Sequence, residues 1–128
     1  MTYKLFDYLD AAGQNEFKEW TTSLTASQRG KLNERLDKLQ LHGEGLFPTI
    51  LTGTSVPGIL KLRVRGNVQL RPLLCRGPIE MNVEFTLLFG AIEKGDRWKP
   101  ANAPNIAQEK KRAVIASAHR RKKHERVS

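Results

Sequence analysis

Residues 59–65, Ile59-Leu60-Lys61-Leu62-Arg63-Val64-Arg65, alternate apolar and basic side chains, and a period of two demands an extended strand with two unlike faces. Leu60, Leu62 and Val64 face one way and need a core. Lys61, Arg63 and Arg65 face the other way. Gly66-Asn67 turns the chain into a second strand, Val68 to Arg76, and Arg76-Gly77-Pro78 turns it again. Pro72 removes one ladder donor, so the second strand is at an edge, bulged or locally unpaired there. Val83 to Ile92 is a third strand, too apolar to be exposed on both faces.

The first half supplies a cover for this sheet. Tyr3–Leu9 suits an opening strand, and Asp10 is placed to cap the helix after it. Phe17, Trp20 and Leu24 make an apolar stripe on that helix. Thr25-Ala26-Ser27-Gln28 fits a capping box, and Leu32, Leu36 and Leu39 continue as the buried face of a second helix that stops at Gly43. Gly30 inside that helix costs about 1 kcal/mol against Ala. Gly and Pro punctuate a loop over 43–58, and another loop carries Trp98 and Pro100. Asn105 to about Glu125 is expected to be a final helix with a weak stripe of Ile106, Val114, Ile115 and Ala118. The expectation is one α+β domain of order β-α-α-β-β-β-α: a small antiparallel-rich sheet with an αα-hairpin on one face. The domain occupies residues 1–119, and 120–128 is a basic tail that frays.

Charge is divided unequally along the 128 residues. Residues 1–59 sum to −1 and residues 60–128 to +10. That asymmetry is the footprint of a polyanion, of which nucleic acid is the commonest. No apolar run approaches the ~20 residues that cross a bilayer. The start of the chain lacks a secretory pattern, so no membrane is expected as a partner and a cytoplasmic location is the default. Cys75, the single cysteine, cannot staple the fold and is expected to be a small core hydrophobe on a strand. No His or acidic cluster has metal-ligand spacing, so neither a metal nor a cofactor is expected. His42 sits at a helix end, and His119 and His124 fall in the tail, where they are expected to be solvated.

Eight cations can converge on one concave face: Lys61, Arg63 and Arg65 from one strand, Arg71 and Arg76 from the next, and Lys94, Arg97 and Lys99 from the loop after the third. Each alone is an ordinary solvated charge that keeps a sheet edge soluble. As a set, with only Glu93 and Asp96 nearby, they make a phosphate-binding surface. Trp98 is placed either to stack on a base or to close the core as a lid.

Leu60-Lys61-Leu62-Arg63, Arg71 in the following strand, Leu87-Leu88-Phe89-Gly90-Ala91-Ile92-Glu93-Lys94, and Lys99-Pro100 before a last helix resemble the RelE/ParE toxin superfamily, most of all its HigB-like branch from phages and mobile elements. The resemblance implies a RelE-like fold and a toxin of a type II toxin–antitoxin system. It implies an mRNA interferase: a metal-independent, ribosome-dependent endoribonuclease that inhibits translation, with mRNA, the ribosome and a cognate antitoxin protein as partners. In this chemistry the ribose 2′-OH attacks the adjacent phosphate and leaves a 2′,3′-cyclic phosphate. It needs a proton acceptor, cations for the phosphorane and a proton for the leaving oxygen. Arg63 and Arg71 match the family's two arginines and would stabilise the transition state. Lys61 and Lys94 match positions that orient RNA or move protons. A lysine acting as base needs a depressed pKa, which neighbouring cations supply. Arg65, Arg76, Arg97, Trp98, Lys99 and, in the tail, Lys122 and Lys123 are the expected RNA-binding residues.

The chain departs from the family pattern in places. Phe89 stands where a His is common, Glu93 where the first paired lysine stands, and Leu70 and Pro72 flank the second arginine. No Tyr lies near the C-terminus. The identity of the general base is therefore open between a lysine and Glu93, which otherwise balances Lys94. A non-catalytic RNA- or ribosome-binding protein on the same scaffold, and a ParE-like gyrase inhibitor working through its last helix, are the alternatives.

Overall fold

A computed structural model describes residues 2–128. The elements are β1 (Lys4–Tyr8), α1 (Glu16–Ser23), α2 (Ala26–His42), β2 (Leu51–Gly53), β3 (Leu60–Leu62), β4 (Leu70–Arg76), β5 (Glu84–Lys94), β6 (Arg97–Lys99), α3 (Ala103–Ala116) and β7 (Arg121–Lys123). The order contains the expected β-α-α-β-β-β-α, with short strands added in both loops and after the last helix. The fold is one compact α+β domain around a mixed seven-stranded sheet, ordered β2-β3-β4-β5-β1-β7, with β6 paired to the end of β5. Only β1–β5 is parallel, which the long αα-hairpin crossover permits.

Both sheet faces are covered. On one, Phe17, Leu32, Leu36 and Leu39 of the αα-hairpin meet Leu60, Leu62, Leu70, Leu74, Phe85 and Leu87. On the other, Ala103, Ala107 and Val114 of α3 meet Ile59, Leu73, Cys75, Leu88 and Ala91. Burial pushes the Cys75 thiol up to about 12, so it behaves as the expected apolar filler. The capping box at Thr25 forms with both of its bonds, 3.1 Å to the Gln28 amide and 2.9 Å back to the Thr25 amide. Gly43 ends α2 at positive φ, and a Cβ there would sit 2.1 Å from the Tyr3 ring. Asp10 is not the cap of α1. Asn15 caps it, and Asp10 closes the preceding loop through the amides of Ala12 and Gln14.

Residues 120–128 pack against the domain rather than standing off it, and the last helix stops at Ala116 rather than near Glu125. Arg121–Lys123 adds to β1 as an antiparallel edge strand. Three residues of this stretch, which looks like a solvated basic run, meet an acid from a distant part of the chain. Arg121 forks onto buried Glu84, and its guanidinium lies 3.8 Å from the Phe6 ring centroid. His124 Nδ1 is 2.8 Å from buried Asp7 rather than solvated, and Arg126 pairs with Asp37. No helix among the described residues is long and apolar enough to cross a membrane.

Glu84 is 1% exposed, so removing its partner strands a buried charge, a loss of about 3–5 kcal/mol. Arg121→Ala is expected to lower the unfolding free energy by about that much in a urea titration. A change below about 1 kcal/mol, the value of an exposed pair, would mean that the tail is not anchored there.

Candidate functional site

Two irregularities build the site. The first is Pro72. The β3–β4 ladder pairs Leu60 with Leu74 and Lys61 with Leu73, then lapses until an isolated bridge between Val64 and Leu70. Pro72 is thus interior to the sheet, opposite Gly90 of β5 but without a partner on its β3 side, where a strand position lacking an amide is tolerated. The second is a bulge in β5. Leu73 faces Phe89 and Leu74 faces Leu87, which leaves Leu88 as an extra residue. A one-residue insertion exchanges the two faces of the strand beyond it. Phe85 and Leu87 point to the αα-hairpin, whereas Leu88 and Ala91 point to α3. Glu93, two residues past Ala91, therefore shares the α3 face with Lys61 and Arg71. Gly90 returns to the hairpin face, where a Cβ would sit 2.0 Å from the Trp20 ring.

Glu93 holds the two cations together. Lys61 Nζ lies 2.9 Å from each Glu93 oxygen, and Arg71 Nε lies 3.0 Å from Oε1. The rest of the Arg71 guanidinium donates to the Leu70 carbonyl at 3.0 Å and to Gln69 Oε1 at 3.2 Å. All three charged side chains are between 9% and 14% exposed. Burial raises the Glu93 carboxyl, but hydrogen bonds and charge from Lys61 and Arg71 outweigh it and hold the group below the usual carboxylate range. Trp98, opposite Glu93 in the β5–β6 ladder, lies under Lys61, with Nζ 5.4 Å from its ring centroid.

A cleft opens on each side of this triad. One, of about 440 Å³, is lined by Arg35, Thr49, Arg63, Arg65, Gln69 and Arg71 among others, and contains no acidic side chain. The other, of about 720 Å³, is lined by Asn67, Gln69, Glu93, Lys94, Arg97, Trp98 and Lys99. Gln69 borders both. Seven of the eight cations singled out in the sequence thus gather around one region, with Trp98 serving as a lid over Lys61 that still borders the second cleft. Arg76 is the exception. Five residues after Arg71, it falls on the opposite face of β4 and forks onto Glu44 at 2.6 and 2.8 Å. Lys122 and Lys123 are also elsewhere, on β7, four strand spacings or roughly 19 Å from β3. Neither they nor Arg76 reaches the clefts.

Two lining residues escape the sequence reading. Gln69 is an ordinary polar residue before a strand and carries no signal. Arg35 does: it stands three residues after Leu32 and four before Leu39, in the apolar stripe of α2. No family model matches the chain, and no curated protein or solved structure matches it either.

The lowered Glu93 carboxyl fixes the sign of a pH effect. Its ionised form stabilises the fold above the ordinary glutamate value of 4.5, and that contribution is lost as pH falls through the lower folded value. Glu93→Gln is expected to be less stable than wild type by about 2–3 kcal/mol at pH 7, because Lys61 and Arg71 lose their counterion. The difference should shrink in chemical denaturation below pH 4.5. A constant gap down to the acid transition would show that the pairing does not stabilise the fold.

Proposed function

We propose that the protein is an RNA-cleaving toxin of the RelE/HigB-like kind, acting on mRNA in the ribosome. The observation that carries this reading is the Lys61–Glu93–Arg71 triad beside an acid-free arginine cleft. A phosphodiester is the anion that could replace Glu93 on Arg71 and Lys61, with Arg63 exposed at the cleft to take a second oxygen. Displaced from its partners, the Glu93 carboxylate becomes the base for the 2′-OH proton. The 2′ oxygen bonds to phosphorus, the bond from phosphorus to the 5′ oxygen breaks, and a lysine ammonium, Lys61 or Lys94, gives that oxygen its proton. Arg71 and Arg63 hold the extra negative charge of the phosphorane. Trp98 and Gln69 line the second cleft, where an adjacent base would be stacked and read.

The same charge makes the free protein a binding surface for an acidic or amphipathic segment, which is how a cognate antitoxin would neutralise it. A second reading, a non-catalytic RNA or ribosome binder, is favoured by one feature. Neither cleft is lined by a His or Tyr among the described residues, so proton transfer rests on Glu93 and lysines.

Primer extension on an mRNA translated in a cell-free system separates the two. Wild type is expected to cut within codons only when ribosomes are present, leaving a 2′,3′-cyclic phosphate. Arg71→Ala should lower the rate by about 10²–10³ while circular dichroism stays native. Intact mRNA with salt-sensitive ribosome binding would exclude the nuclease and leave the binder.

A further inference from the structure

Arg35 is the charged side chain that the pairing in this fold leaves unexplained. It is 8% exposed, it lies in the apolar stripe of α2, and it makes no hydrogen bond or ion pair to another described residue. A cation buried without a partner is destabilising. Lysine and arginine often avoid that cost by running the head group out to water. Arg35 does so at the 440 Å³ cleft, which it lines with Arg63, Arg65 and Arg71, so the cleft takes its head group while the helix buries its stem. Of those four, only Arg71 has a carboxylate partner. The other charged residues this deeply buried each have a side-chain partner in the chain: His124 for Asp7, Glu93 for Arg71 and Arg121 for Glu84.

We infer that Arg35, with Arg63 and Arg65, forms a built anion site for one phosphate of a nucleic-acid backbone, next to the phosphate held at Arg71. The chemistry is oxyanion binding by guanidinium groups, in which a donor whose stem is fixed by packing loses little freedom when the anion arrives. Thr49 borders the cleft and is exposed, so its hydroxyl is available as an added donor. That the phosphate belongs to RNA rests on the proposed function. That the cleft holds an anion does not.

Two variants test this. Arg35→Met keeps the stem and removes the charge. Thr49→Glu leaves Arg35 in place and supplies a carboxylate from an exposed position, so it does not depend on the tolerance of α2. The first probe is inorganic phosphate, monitored by thermal melting against chloride at equal ionic strength. Wild type is expected to gain Tm with phosphate, whereas both variants should lose most of that gain and Thr49→Glu should melt higher than wild type without phosphate. The second probe is a short single-stranded RNA. Arg35→Met should bind it about tenfold more weakly, with a salt dependence shallower by about 0.7 in the log–log slope, the value of one phosphate contact. A phosphate gain in Tm that persists in both variants overturns the anion site. A lost phosphate effect with unchanged RNA affinity and slope keeps the site but assigns it to free phosphate, overturning the RNA phosphate. Both outcomes are read without strand scission, so a failure of the nuclease reading leaves them interpretable.

Discussion

The extra residue at Leu88 decides which way the end of β5 faces, and the charged site depends on that direction. β5 pairs with β4, β1 and β6, so it is the strand against which the others are placed. Without the insertion, the residues after Leu87 would keep their alternation, and Glu93 would point toward the αα-hairpin core. With it, Glu93 lies against Lys61 and Arg71, and Gly90 takes the place beneath Trp20. Pro72 on the neighbouring strand acts together with the bulge. It interrupts the β3–β4 ladder where Arg71 needs room to turn its guanidinium back onto the Leu70 carbonyl. Bulges commonly re-aim a side chain beside a site, and this one re-aims a carboxylate into a field of cations.

Electrostatically, Glu93 is an internal counter-anion. A group of cations this close would repel one another if left bare. The carboxylate holds Lys61 and Arg71 in a fixed arrangement that a phosphate could inherit with little reorganisation. The arginines on the cleft side of the triad have no such carboxylate, and Arg35 is both the most buried of them and the least explained by packing. The basic tail belongs to another part of the charge balance. Arg121, His124 and Arg126 are taken up by Glu84, Asp7 and Asp37 along the opposite edge of the sheet, where they hold the chain end rather than extend the cleft.

Much of this was legible in the sequence because it obeys short periods. The capping box at Thr25 and the stripe of Leu32, Leu36 and Leu39 became the elements they imply, while the alternation at 59–65 became a strand only at Leu60–Leu62, with one further bridge at Val64. Pro72 signalled an irregular strand, and the gathering of Lys61, Arg63, Arg65, Arg71 and the 94–99 segment came from simple hairpin geometry. The illegible part depends on partners far away in sequence. Nothing local says that Arg121 meets Glu84 or that His124 meets Asp7, so the tail looked solvated. The side on which Arg76 falls is set by alternation along β4, but its partner Glu44 comes from the turn after α2. The bulge has no mark within Leu87-Leu88-Phe89, and without it the direction of Glu93 could not be assigned.

If Glu93 and an RNA phosphate compete for Arg71 and Lys61, neutralising the carboxylate frees both cations and removes the proton acceptor in one step. The direct measurement is equilibrium binding of a short single-stranded RNA by wild type and Glu93→Gln at fixed salt near neutral pH, with cleavage on ribosomes measured in parallel. Competition predicts that the folded variant binds about tenfold more tightly, a gain of about 1.4 kcal/mol, and does not cleave. Equal or weaker binding by a folded Glu93→Gln protein would show that the triad is only a structural ion pair and that RNA does not enter there.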